Sequence, residues 1–265
     1  MLKRTAFFLQ TLLVVTLLSL AGAQAASPNV KQPQVDTPKR VLFVGNSYMY
    51  YNDSLHNHVN RIASAADPSL KKGIQYKSAT IGGAPLWHHN MVHLTTPGNL
   101  GIKEPFELVI MQGNSTDALS DNAKARFREK VVEFNEVITR QGGKVALYMT
   151  PAHIKPSKFA SPEMTGKTAD MYVEAGNEIN ALVIPTGLAF AEAYRQKPDI
   201  KLHQDFDGSH PTLIGTYLAA CTVYASVYGK SPVGNSYDYF GRISKEDAAF
   251  LQKVADETVK KFYGR

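Results

Sequence analysis

The chain has 265 residues, 44% of them hydrophobic and 20% charged, an ordinary globular composition that excludes a collagenous, low-complexity or largely disordered protein. Its formal net charge is +6, but the lysines and arginines are scattered, so the sequence predicts no nucleic-acid-binding groove. The single cysteine, Cys221, excludes an intramolecular disulfide and any C-x-x-C zinc or redox motif, and we expect it to be a buried small residue.

Residues 1–25 have the three parts of a secretory signal peptide. Lys3 and Arg4 precede an apolar run, residues 6–20, that is short for a membrane span, and cleavage is predicted after Ala25. An uncleaved N-terminal anchor is the alternative. The absence of cysteine pairs in an exported chain favours a bacterial periplasmic or secreted protein. We predict that residues 26–38 form a flexible tether and residues 39–265 one domain.

Apolar runs alternate with helical patterns along the mature chain, which is typical of a parallel sheet covered on both faces. Five runs are strand candidates: Val41–Val44, Gln75–Ile81, Leu108–Gln112, Lys144–Thr150 and Ala181–Pro185. With right-handed crossovers, such strands commonly arrange in the order 2-1-3-4-5. We therefore expect one three-layer α/β domain, with its ligand site in the loops that follow strands one, two and three.

Amphipathic stretches with apolar residues three and four positions apart lie between these strands. They predict helices over Leu55–Ala66, Asn122–Gln141 and Met164–Ile179. Pro211 is expected in the first turn of a helix that runs to about Tyr228, and a last helix is expected over Ser244–Phe262.

Two polar segments carry candidate chemistry. Ser47 stands where the first apolar strand turns into a loop, and Gly45 permits a sharp bend there, although such a triplet is often only a turn. A serine becomes a good nucleophile when a histidine takes its proton and a carboxylate holds the other ring nitrogen. Asp207 and His210 supply both groups from one turn, although a helix cap would also explain this segment.

With these segments the chain resembles the SGNH hydrolases, the GDSL-like esterase superfamily. Four blocks appear in order: Gly45-Asn46-Ser47, Gly82-Gly83, Gln112-Gly113-Asn114 and Asp207-x-x-His210. The resemblance spans nearly the whole mature chain. It implies a flavodoxin-like α/β/α sandwich and an ester-hydrolysing site that needs no metal or organic cofactor.

The resemblance also implies a role for each matching position. Ser47 is the expected nucleophile, His210 the general base, and Asp207 the group that holds the imidazole. The expected oxyanion hole consists of the backbone N–H groups of Ser47 and Gly83 and the side-chain amide of Asn114.

Three positions depart from the family pattern or leave an alternative. Asn46 stands where the family has Asp, which we expect to be benign. Gly82 is the alternative to Gly83, and Gln112 is the alternative to Asn114 as amide donor, because the third block lacks the family's leading Gly and trailing Asp.

Aromatic and histidine side chains crowd the proposed cleft. Tyr48 and Trp87 have rings with a polar handle, which suits a sugar face, and we predict them as substrate contacts together with Gln112; packing of the first helix is the alternative. A histidine cluster, His88, His89 and His93, has no carboxylate or cysteine at matching spacing, so no metal site is predicted.

Taken together, the sequence predicts an exported serine esterase that removes short acyl groups, acetyl in particular, from a carbohydrate through an acyl-enzyme. The alternatives are a polysaccharide O-acyltransferase, a lipase or thioesterase of the same fold, and a non-catalytic glycan-binding module. We expect a monomer whose partner is a small or polymeric ester, with no nucleic acid and no stable membrane insertion after cleavage. The stretch Ala152–Thr168 is the expected pocket-shaping loop, but it carries no motif.

Overall fold

The computed structural model describes residues 27–265. Five strands form one parallel sheet in the order β2-β1-β3-β4-β5: β1 (Arg40–Gly45), β2 (Gln75–Thr80), β3 (Leu108–Met111), β4 (Lys144–Tyr148) and β5 (Leu182–Ile184). The predicted fold class and strand order are confirmed. The ends of the strands differ from the predicted ends by one or two residues.

Eight α-helices connect and cover the strands: α1 (Ser47–Tyr50), α2 (Leu55–Ala66), α3 (Met91–Thr95), α4 (Asp121–Arg140), α5 (Met164–Glu178), α6 (Thr186–Gln196), α7 (Leu213–Tyr228) and α8 (Lys245–Tyr263), all within residues 27–265. Short 3₁₀ turns occur at Pro68–Lys72, Leu86–His88 and Asp117–Leu119.

The central strands are apolar after their first residues, Arg40 in β1 and Lys144 in β4, because both faces of the sheet are covered. Val41 and Phe43 of β1 pack on the face covered by α2, α6, α7 and α8, and Leu42 and Val44 pack on the face covered by α4 and α5. Helix α7 is buried on nearly every side, since α2, α6 and α8 surround it. Cys221 is fully buried within it, as expected.

The five predicted helices are confirmed, with one error in a boundary, and three helices were omitted. Pro211 is not in the first turn of α7, which begins at Leu213 with Thr212 as its N-cap. Pro211 instead forms an antiparallel bridge with His203, and this bridge holds it in the extended chain that precedes the helix. The prediction also omitted α6, which begins directly after Pro185, and the short helices α1 and α3.

The described part of the segment predicted as a tether lies along the domain, although it contains no helix or strand. The Asn29 N–H donates to the side chain of Asn177 (2.7 Å), and the Gln34 amide donates to the Asn180 carbonyl (2.8 Å). Pro28 is buried. This segment therefore contacts the domain at residues 177 and 180.

The predicted signal peptide lies outside the described residues. Within residues 27–265, no helix combines the length and the apolar character needed to cross a membrane.

Candidate active site

The loops after β1, β2 and β3 meet at the carboxyl edge of the sheet, and Asn46 joins them. Its side-chain amide donates to the carbonyl of Ala84 (2.9 Å) and to that of Gly113 (3.3 Å). Its Oδ1 accepts from the Tyr48 N–H (3.3 Å) and from the Gln112 amide (2.8 Å). A carboxylate could accept the last two bonds but could not donate the first two. Asparagine at this position is therefore required by the surrounding carbonyls.

Ser47, His210 and Asp207, the expected nucleophile, base and orienting group, form one hydrogen-bonded series. The Ser47 Oγ lies 2.7 Å from the Nε2 of His210, and Ser47 is only 5% exposed. The Nδ1 of His210 is hydrogen-bonded to the Oδ2 of Asp207. The other carboxylate oxygen accepts the backbone N–H groups of Ser209 (2.8 Å) and His210 (3.0 Å). The Asp207–His210 turn thus orients its own imidazole.

The charge on Asp207 determines which nitrogen of His210 carries the proton. Partial burial raises the pKa of Asp207, but the hydrogen bonds from His210 and from two backbone N–H groups outweigh this effect and lower the pKa below its usual value. An ionised carboxylate only accepts, so the proton lies on Nδ1, and Nε2 is left to accept from Ser47. The ring of Tyr51 stacks on the imidazole, with centroids 4.4 Å apart.

Two of the expected oxyanion groups, Gly83 and Asn114, are in direct contact. Gly83 has a left-handed φ of +69°, which favours glycine, and its carbonyl accepts the Asn114 amide (2.9 Å). The Asn114 Oδ1 accepts from the N–H and the hydroxyl of Thr116, so the amide is held in orientation and keeps one N–H to donate. Within residues 27–265, the backbone N–H groups of Ser47 and Gly83 have no hydrogen-bond partner.

A buried carboxylate, that of Asp117, holds the backbone of the loop that contains Asn114. Asp117 is 4% exposed, and its Oδ2 accepts the backbone N–H of Asn114 (2.8 Å). Burial raises the pKa of Asp117 to about 6, although the bond from Asn114 opposes the shift.

The structure corrects the two roles predicted for Gln112. Its side chain is fully buried, and its amide nitrogen donates to Asn46 Oδ1 (2.8 Å) and to the Gly113 carbonyl (2.5 Å). Its Oε1 accepts the Asn46 N–H (3.2 Å). With both amide hydrogens used, Gln112 cannot donate to an oxyanion or contact a substrate. Gln112 instead holds Asn46 and so the turn that carries Ser47. Asn114 is the amide that remains available to donate to an oxyanion.

The predicted aromatic contacts also differ from the expectation. Tyr48 is only 4% exposed, so its ring packs inside the site and presents no face to a sugar. Trp87 is half-buried, and the guanidinium of Arg126 lies 4.2 Å from its ring centre, which leaves one indole face occupied. Exposed apolar side chains instead flank the site residues along the chain: Tyr50, Ile81, Ile154, Phe159 and Phe206.

The sequence analysis missed His153, which lies in the loop after β4 and is buried among polar groups of the site. The stretch that contains it was expected to shape the pocket, but a single histidine near prolines and serines gives no motif. Only its position in the folded chain brings it to the site.

The three clustered histidines do not converge. His89 is buried, whereas His88 and His93 are exposed. In the part of the chain that the structure describes, no three His, Cys, Asp or Glu side chains are grouped as a metal site.

Comparison with solved structures confirms the fold. The chain aligns with a DUF4886 family protein from Bacteroides uniformis ATCC 8492 at 19% identity and a TM-score of 0.62, over 82% of this chain and 93% of that one. A Slackia heliotrinireducens protein assigned to the SGNH hydrolases aligns at 19% identity with a TM-score of 0.56, over 71% and 98% of the two chains. The acetyl xylan esterase AlAXEase aligns at 17% identity with a TM-score of 0.55, over 71% and 98%. No protein-family model matches the sequence, and no curated protein matches it significantly.

Proposed function

We propose that this chain, which has the fold of the SGNH hydrolases, is a serine esterase that removes short acyl groups, acetyl in particular, from a carbohydrate. The observation that carries the proposal is the hydrogen-bonded series from Ser47 through His210 to Asp207. Such a series fits acyl transfer and needs no metal to activate the nucleophile.

In the proposed reaction, the Ser47 Oγ attacks the acyl carbonyl carbon while its proton passes to His210 Nε2. The carbonyl oxygen becomes an oxyanion that accepts the N–H groups of Ser47, Gly83 and Asn114. The C–O bond to the sugar then breaks, and His210 returns the proton to the departing hydroxyl. A water molecule attacks the acyl-enzyme with His210 as base, which releases the carboxylic acid and restores Ser47.

A carbohydrate substrate is supported by exposed rings and by export. Tyr50, Phe159 and Phe206 are 41%, 41% and 70% exposed, and each lies within a few residues of a site residue. Aromatic faces stack on the apolar faces of sugar rings. The predicted signal peptide would deliver the protein to a compartment that contains polysaccharide, and one protein of this fold is an acetyl xylan esterase.

Hydrolysis of longer acyl esters is the second candidate. Two exposed aliphatic side chains favour it. Ile81 is 44% exposed and precedes Gly82, and Ile154 is 36% exposed and follows His153. Such side chains could contact a lipid or thioester acyl chain.

The test is hydrolysis of p-nitrophenyl acetate, butyrate and octanoate and of acetylated xylo-oligosaccharides by residues 26–265. We expect acetate to be preferred, and Ser47→Ala and His210→Ala each to lose about 10³-fold or more in kcat. Ser64→Ala, in α2 and outside the site, is the control and should retain full activity. Rates that rise with acyl length would favour the second candidate, and activity that is indifferent to Ser47 would contradict both.

Export and a monomeric state are further parts of the proposal. N-terminal sequencing of protein recovered from the periplasm or medium is expected to begin at Ala26, and light scattering is expected to give the mass of one chain. A cell-bound, uncleaved chain or a stable dimer would contradict them.

A further inference from the structure

We propose that His153 is a positioning residue, whose Nε2 holds the turn at Ser47, the loop that carries Asn114 and the Asp207–His210 turn in a single arrangement. The inference rests on the proposed function and adds a residue to the same site. His153 is 8% exposed. Within residues 27–265, its side chain bonds to hydroxyl groups beside the site residues and not to Ser47 or the Asp207–His210 pair.

The link to the nucleophile passes through Tyr48, which directly follows Ser47 in α1. The Tyr48 hydroxyl lies 3.2 Å from the Nε2 of His153 and 2.6 Å from the Oγ of Ser209. Because Tyr48 is only 4% exposed, solvent has little access to replace these partners. The position of α1, and with it that of the Ser47 Oγ, therefore depends on His153.

The same nitrogen also contacts the loop that carries Asn114 and the turn that carries His210. Ser115 directly follows Asn114, and its Oγ lies 2.9 Å from the Nε2 of His153. Ser209 lies inside the Asp207–His210 turn, and its Oγ is 3.2 Å from the same atom. Three parts of the site that are distant in sequence thus converge on one side chain.

The loop that carries His153 is itself fixed to the turn that it supports. The His153 Nδ1 pairs with the Ser157 Oγ (2.8 Å), and the Ile154 N–H donates to the Gly208 carbonyl (2.8 Å). The two backbones are so close that a Cβ on Gly208 would lie 2.1 Å from the Ile154 carbonyl oxygen. Because these bonds hold the His153 loop rigidly, the imidazole can determine the positions of the hydroxyl groups that it contacts.

A neutral imidazole is the form that suits this position. Burial lowers the pKa of His153; nearby Asp207 opposes this effect, and nearby His210 reinforces it. With the proton on Nδ1 toward Ser157, Nε2 is the acceptor, and in the bond between the Tyr48 and Ser209 hydroxyls one group donates and the other accepts. An apolar side chain would remove the acceptor that Nε2 offers to the surrounding hydroxyls.

Loss of this arrangement should reduce the chemical step more than substrate binding, because His153 orders reacting groups and does not contact the substrate. A misplacement of about 1 Å among reacting groups can lower the rate about 10²-fold. We therefore expect kcat to fall about 10- to 100-fold in His153→Leu, with KM changed less than about threefold.

The experiment compares His153→Leu with His153→Gln, whose amide can still accept from and donate to the hydroxyls. Both are measured by kcat and KM on p-nitrophenyl acetate and by the rate at which a fluorophosphonate labels Ser47. Tyr263→Phe is the control, since it removes a buried hydrogen bond to the Val183 carbonyl (2.9 Å) at the C-terminal end of α8. It should lower the melting temperature but leave kcat unchanged.

We expect His153→Gln to recover most of the kcat and labelling rate that His153→Leu loses. A folded His153→Leu with kcat within twofold of the parent overturns the inference, and so does an equal loss in the Leu and Gln variants. If His153→Leu does not fold, Ser115→Ala and Ser209→Ala decide: each should lower kcat at least threefold, and normal rates in both overturn the inference.

Failure of the proposed esterase function can be distinguished from failure of the positioning role of His153. If the parent hydrolyses no ester but Ser47 reacts with the fluorophosphonate, the esterase proposal fails, and the labelling rates of the His153 variants still test the positioning role. A parent that is not labelled at Ser47 overturns both proposals.

Discussion

Replacement of Asn46 by aspartate, the residue that the SGNH family motif has at this position, should damage this protein. Asn46 is 1% exposed, and its amide satisfies the carbonyls of Ala84 and Gly113. Asn46→Asp retains the size and the two accepted bonds but removes both donors. It also places a carboxylate beside two carbonyl oxygens, which cannot stabilise its charge.

The expected loss follows mainly from the Ala84 carbonyl, since the Gly113 carbonyl keeps the Gln112 amide as a donor. A buried acceptor left without a partner costs about 1–3 kcal/mol of the free energy of unfolding, and burial of the new charge adds to this loss. Burial should raise the pKa of the introduced carboxyl above its unfolded value near 4. The folded state then binds more protons than the unfolded state, so the variant should lose further stability as pH rises from about 4.

The assay is urea unfolding at pH 5 and pH 8, with Asn122→Asp as the control. Asn122 is exposed in the first turn of α4, where a negative charge is tolerated or slightly favourable. We expect Asn46→Asp to be less stable than the parent at both pH values and least stable at pH 8. A loss below about 0.5 kcal/mol at pH 8 would refute the reasoning from the hydrogen bonds.

Three other contacts lead to measurable effects. Asp207→Asn should keep the protein folded but lower kcat about 10³- to 10⁴-fold, because the amide no longer fixes the His210 tautomer; a smaller than tenfold loss would contradict the assigned role. Asp117 has a raised pKa of about 6 and so binds a proton more tightly when folded, which lowers the stability of the parent as pH rises from about 4 to about 6. Asp117→Asn should abolish this decline in unfolding experiments across that range, and an unchanged decline would assign it to another group. Gly208→Ala should destabilise the protein far more than Gly83→Ala, because a Cβ at Gly208 would meet the Ile154 carbonyl oxygen at 2.1 Å whereas one at Gly83 meets nothing within 4 Å. Equal melting temperatures for the two variants would contradict that difference.

Much of the site could be predicted because its groups are local or lie at strand ends. Asp207 and His210 are three residues apart, so one turn brings them together whatever surrounds it. Ser47, Gly83 and Asn114 each follow a strand, and the carboxyl ends of adjacent parallel strands share one edge of the sheet. Apolar runs and short motifs therefore predicted where these groups meet.

The choice between two amides needed the tertiary structure. Gln112 and Asn114 are two residues apart and have the same functional group, so the sequence left either as the oxyanion donor. The Gln112 amide donates to Asn46, which is 66 positions away in the chain. The Asn114 side chain is instead held by Thr116, two residues later, and by Gly83. Tyr48 was misjudged for a related reason, since its burial depends on Ser209 and His153.

The sequence by itself predicted five parallel strands, whose order follows from the usual arrangement of such sheets, and it predicted the Asp207–His210 turn from a short spacing. The role of Ser47 followed from the family resemblance. Only the tertiary structure showed His153, whose partners Ser115, Ser209 and Tyr48 are 38, 56 and 105 positions away. The physical reason is that hydrogen bonds between side chains on different loops depend on the packing of the whole sheet edge. No local pattern records such a contact.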